Sequence, residues 1–228
     1  ANTTLFASGD VDDGVQKMIV DNFGAGWGTP FPFKKDQPLV QSAQEKRVFI
    51  ERESANQNAI TIGKFVPNQH HADSAGLKLV TTILGGYFGS RLMSNLREEK
   101  GYTYGIHASV VSFVREAIFM VHAEVTAEKT DDAIKEIFFE MQRLREDLIP
   151  ESELEPLRSF LLGRMLEDFD GPFARSQSFS SLYEAGLEVG YFDTIIQTIK
   201  TITPERIREI AITYLNPETM YTVAAGKK

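Results

Sequence analysis

The sequence predicts an α+β domain, an antiparallel-rich sheet with helices packed on one face. Two observations carry this. The predicted order is strands, helices, strands, then mostly helices, not a regular βαβ alternation. Hydrophobic residues make up 42% of 228 residues, enough for a sizeable core and too many for a disordered chain. No linker or repeat divides the chain, so 1–228 reads as one domain with a helical subregion at about 131–215.

The elements follow in order. Residues 3–8 (TTLFAS) read as a strand, and Val15, Met18, Ile19 and Phe23 fall at helical spacing before Gly24. Three glycines and three prolines within 24–40 make a loop, which Trp27, Phe31 and Phe33 are expected to pin to the body. Residues 46–51 and 58–65 read as strands, and the intervening ESANQ is short enough for a hairpin. A helix from about Asp73 to Leu84 shows Leu77, Val80, Thr81 and Leu84 on one face, and a shorter helix spans about Ser90–Lys100. Alternating strands follow at about 103–113 and 116–126.

The helix 131–147 has the clearest pattern. Ile134, Ile137, Phe138, Met141 and Leu144 form one apolar stripe, with Thr130 as expected N-cap and Asp131 and Asp132 at the positive end of the dipole. Ser152 and Glu155 have capping-box spacing. Pro156 is tolerable only near a helix start. Further helices are expected near 172–186, 192–200 and 204–215, the last capped by Thr203 ahead of Pro204. Residues 219–225 close with a strand.

Composition narrows the function. A net charge of −8 with no basic run makes nucleic acid a poor partner. The absence of cysteine excludes disulfides, thiolate nucleophiles and Cys-based zinc sites. No apolar run reaches the roughly 18 residues of a transmembrane helix. The opening at Ala1, without a Met, suggests a piece of a longer protein, and nothing assigns a compartment.

The four histidines do not make a metal site. His70 and His71 are adjacent and cannot converge on one ion from a strand or a helix. His122 and Glu124 share a strand face without a third ligand, and His107 stands alone on its strand. Neither H-E-x-x-H nor H-x-x-E-H occurs, nor G-x-S-x-G, nor a P-loop. No metal or cofactor is therefore expected in this chain, and the chain alone is expected to be inactive.

One stretch differs: residues 84–105, LGGYFGSRLMSNLREEKGYTYG. Gly85-Gly86 permits a tight reversal, and Ser90 can cap a helix whose Phe88, Leu92 and Leu96 point inward at i, i+4 spacing. Arg97 lies off that stripe near the helix end, and Tyr104 begins a strand. Such a unit can aim a guanidinium and a phenol at one point, where a developing oxyanion would meet fixed donors. By spacing alone the plainer alternative wins: Arg97 paired with Glu98 or another surface acid, Tyr104 half-buried.

These residues resemble the hallmark of the inverted-zincin metallopeptidases, the pitrilysin, insulinase and mitochondrial-processing-peptidase family, whose members show LGG-x-F-x-SRL followed by (L/I)RE-x-x-G-x-x-Y. The opening LFASGDVDDG and the closing TPERIREIAITYLNPETMYTVAAG also resemble the start and end of the family's domain. The resemblance implies one half of a clamshell of two similar α+β halves. The other half would carry H-x-x-E-H with its zinc, in the same polypeptide or a separate subunit. This chain would correspond to the C-terminal, non-metal half, binding peptide substrate and supplying Arg97 and Tyr104, with Tyr102 a lesser candidate. Two alternatives remain: an inactive scaffold subunit of the same fold, and a stand-alone module capturing peptides on a sheet edge.

Overall fold

A computed structural model describes residues 3–24, 43–113 and 115–228. Trp27, Phe31 and Phe33 lie outside the described residues. Among the described residues, five strands form one sheet: β1 (Arg47–Glu51), β2 (Asn58–Val66), β3 (Thr103–Ser112), β4 (Ala117–Val125) and β5 (Tyr221–Gly226), in the order β1-β5-β2-β4-β3. All pairings are antiparallel except β1 with β5.

The C-terminal strand thus separates β1 from β2, so ESANQ is not the hairpin its length suggests. Loop length allows two strands to pair but does not stop a distant strand of better fit from entering between them. TTLFAS does not join the sheet either. Residues 3–8 are irregular, and Phe6 packs edge-on against Phe179 and Tyr183 of a helix.

The helices are α1 (Asp13–Phe23), α2 (Ser74–Gly85), α3 (Thr130–Glu146), α4 (Glu151–Glu167), α5 (Gly171–Ala185), α6 (Gly190–Thr201) and α7 (Pro204–Tyr214). The α2 face expected from sequence is buried, and the α3 stripe is buried at Ile134, Ile137, Met141 and Leu144. These side chains meet Ile60, Ile62, Phe119, Val121 and Ala123 from one sheet face to form the core. Phe138 is only partly buried at its edge.

Two expected caps take other roles. Thr130 is the first helical residue of α3, and its hydroxyl donates to the Ala127 carbonyl instead of accepting from the helix amides. Helix α4 starts one residue before Ser152 and has no side-chain cap, so the capping box does not form. Thr203 caps α7 as its spacing implies, accepting from the Arg206 amide.

Among the described residues, no helix covers the second sheet face. The register and the alternation of burial place Val48, Ile50, Phe65, Ile118, Met120 and Val223 there. A shallow groove of about 220 Å³ runs between Phe65, Ile118, Met120, Tyr221 and Val223. The register puts Thr61, Ser109, His122 and Glu124 on the same face, so the apolar residues form a patch around this groove, beside a polar part. Helix α1 also has no buried residue, although Met18 and Val20 are apolar and exposed.

Candidate functional site

The candidate site is built by the passage from α2 to β3. Gly85 lets α2 approach that strand, because a side chain there would meet the Ala108 amide nitrogen at 2.8 Å. The chain turns at Gly86 and enters a helical segment that ends with a π-helical stretch, Met93–Glu99. Leu92 and Leu96 bury inward as expected. Phe88 does not: it is 63% exposed, and its ring lies 4.9 Å under the Arg97 guanidinium. Its position in the turn before the helix removes it from the i, i+4 stripe.

Arg97 lies in the last turn of the π-helical stretch, half-exposed, its Nε 3.6 Å from a Glu98 carboxylate oxygen. Gly101 ends the segment with φ +63°, a left-handed conformation that glycine adopts without a Cβ penalty. Tyr102 then packs against the core, with the Lys129 ammonium 5.2 Å from its ring centre.

The register between β3 and β4 slips between Thr103 and Ile106. The Thr103 hydroxyl organises this irregularity. It accepts from the Gly105 amide and lies 2.7 Å from the Glu124 carbonyl oxygen. Bulges re-aim side chains, and here Tyr104 emerges at 89% exposure. The expectation of a half-buried Tyr104 therefore fails. Arg97 and Tyr104 flank the same turn, and no hydrogen bond or ion pair joins them among the described residues.

The histidines take structural places. His70 Nε2 is 2.8 Å from the Ala185 carbonyl oxygen, and His71 Nδ1 accepts from the Asp73 amide. His122 and His107 are cross-strand partners, and His122 Nδ1 lies 3.3 Å from the Thr61 hydroxyl. Among the described residues no three His, Cys, Asp or Glu side chains come together as ligands, so these residues do not fit a zinc ion. Nor is any helix among them long and apolar enough to cross a membrane.

Residues 1–161 match the family model described as the peptidase M16 inactive domain. The chain belongs to this family. As an M16 inactive domain it is 23% identical over 208 residues to an uncharacterized zinc protease of Mycobacterium tuberculosis, covering 90% of this chain and 46% of that protein. It is also 23% identical over 200 residues to a non-peptidase homolog of Helicobacter pylori, covering 85% of this chain and 45% of that protein. The chain thus spans about half the length of the curated relatives it matches. Its fold is that of a crystallised protease from Helicobacter pylori, with a TM-score of 0.82 at 17% identity, over 96% of this chain and 53% of that one.

Sequence reasoning missed two features of the site. The Phe88 platform under Arg97 could have been suspected from an aromatic within reach of a cation, although spacing alone favours burial. The buried polar residues behind Arg97, chiefly Asn95 and Glu140, carry no sequence signal, since a helix with one polar residue on its inner face looks merely imperfect.

Proposed function

We propose that this M16 inactive domain is the non-metal, substrate-binding half of a zinc endopeptidase, completed by another half, in the same polypeptide or a separate subunit, that carries H-x-x-E-H. Tyr104 donates a hydrogen bond to the oxyanion of the tetrahedral intermediate, and Arg97 anchors the peptide backbone or a neighbouring carboxylate. The observation that carries this is Tyr104 itself. It stands almost fully exposed on an irregular strand end, with no hydrogen-bond partner among the described residues, so its phenol is free to donate to a ligand. The partly exposed apolar patch at Phe65, Ile118, Met120 and Val223, which no helix covers among the described residues, supports a missing partner.

The zinc would be held by the other half, where it would supply Lewis-acid activation of the water and the carbonyl. This chain binds and orients the peptide, and closure of the halves would exclude water from the donors. In a dry site one fixed oxyanion donor is worth about 10²–10³ in turnover. Hydrolysis of a quenched fluorescent peptide library by the chain mixed with a zinc-bearing half should therefore fall by about that factor in Tyr104→Phe. Unchanged turnover rejects the assignment.

The second reading is a scaffold subunit. The similarity to a protein named a non-peptidase homolog favours it. A stable complex with a partner that also lacks H-x-x-E-H, and no hydrolysis, would select it.

A further inference from the structure

Three features surround Arg97 that the proposed reaction does not use. The first is the winding. The Lys100 amide donates to the Asn95 carbonyl, five residues back, and the Tyr102 amide donates to Leu96. π-helical turns are rare and less favourable than α turns, and where they persist, surrounding contacts hold them.

The second is the holding contact. Asn95 sits two residues before Arg97 and is 7% exposed. Its Nδ2 donates to Glu140 Oε1 at 2.7 Å and to Glu136 Oε2 at 3.1 Å, both on α3. Lys100, three residues after Arg97, bridges to Glu136 at 2.7 Å. The π-helical stretch is thus tied to α3 on both sides of Arg97.

The third is that this arrangement is expensive. Glu140 is a buried carboxylate balanced by Arg143 from its own helix, and the Asn95 Oδ1 is buried without a hydrogen-bond partner among the described residues. Apolar residues of similar volume would give a buried interface at least as stable. Stability alone does not account for Asn95.

We infer that Asn95 is a positioning residue: by anchoring the π-helical stretch to Glu140 and Glu136, it sets the direction in which Arg97 presents its guanidinium over Phe88. Relaxing the stretch to α winding would swing Arg97 around the axis by part of the ~100° that one residue spans. The functional consequence rests on the role proposed above for Arg97; the geometric consequence does not.

The test begins with the chain alone. Nuclear magnetic resonance of the Arg97 side chain reads the upfield ring-current shift from Phe88, and Phe88→Leu assigns it. Asn95→Leu is expected to abolish that shift, and so is Glu140→Ala. Glu140→Gln, which keeps an acceptor for Nδ2, should restore most of it. If Asn95→Leu does not fold, Asn95→Ser, too short to span to α3, takes its place. A folded Asn95 variant that keeps the full shift overturns the inference.

A second arm uses the complementary half. Asn95→Leu should lower kcat/KM by about 10²-fold, the cost of an ångström-scale misplacement. It should do nothing further in an Arg97→Ala background, a non-additivity that general destabilisation would not produce. A lost ring-current shift with unchanged turnover would leave the positioning intact and reject the catalytic role of Arg97 instead.

Discussion

Asn58→Ala removes three hydrogen bonds at one buried point. Its Nδ2 donates to the Thr130 hydroxyl at 2.9 Å and to the Lys227 carbonyl at 2.8 Å, while its Oδ1 accepts from the Lys227 amide at 2.7 Å. One side chain thus joins the start of β2, the start of α3 and the end of β5. A neutral hydrogen bond contributes about 1 kcal/mol net, so the three sum to about 3 kcal/mol. Two corrections offset part of this. The Thr130 hydroxyl retains its bond to Ala127, and Lys227 is exposed, so water can reach its main chain. A loss of about 2–3 kcal/mol is expected, measured by urea denaturation with an unchanged m-value. Asn58→Asp should cost more, because it replaces the donor to the Lys227 carbonyl with a buried negative charge. A change under about 0.5 kcal/mol for Asn58→Ala, the range of an ordinary surface substitution, would refute the view that this residue closes the sheet onto α3.

Other outcomes follow from the same structure. Burial, reinforced by the hydrogen bond to Asp73, raises the Tyr214 phenol to about 12. Because the folded value lies above the unfolded one, its contribution is complete below about pH 10 and is lost as pH rises toward 12. Ultraviolet titration should find one late phenol that disappears in Tyr214→Phe. Glu136 is shifted the other way, held below the ordinary carboxylate range chiefly by its bond to Lys100. Its contribution should fade on acidification, and Lys100→Met should flatten that part of the acid-denaturation curve. Phe119→Ala, at the fully buried centre of β4, should cost about 3–5 kcal/mol by urea denaturation. Val223→Lys on the open sheet face should leave the chain within about 0.5 kcal/mol of its parent and weaken association with the complementary half, as read by sedimentation.

The sequence carried most of the elements and little of their arrangement. Helix α3 was legible because five apolar residues repeat at helical spacing, and β2 and β4 because their inward residues alternate. The insertion of β5 between β1 and β2 was not, since strand order depends on contacts across some 170 residues that no local window holds. TTLFAS shows why a short apolar run is ambiguous: Phe6 is satisfied by two aromatic rings on α5 and needs no strand partner. At the site, Arg97 and Tyr104 stand out through a resemblance, and their spacing alone favours a surface ion pair instead. The structure adds the physical content, namely the Phe88 platform, the Thr103 irregularity that exposes Tyr104, and the Asn95 anchor. A π-helical turn differs from an α turn by hydrogen-bond register, which side-chain periodicity over seven residues does not report.

The central claim is that this chain completes an active site whose metal lies elsewhere. The direct measurement is hydrolysis of a quenched fluorescent peptide library by the chain alone, by a zinc-bearing half alone, and by the two together. The account predicts turnover only in the mixture, abolished by a chelator and lowered about 10²–10³-fold by Tyr104→Phe. Zinc-dependent hydrolysis by this chain alone would contradict it, and so would a mixture whose turnover ignores Tyr104→Phe.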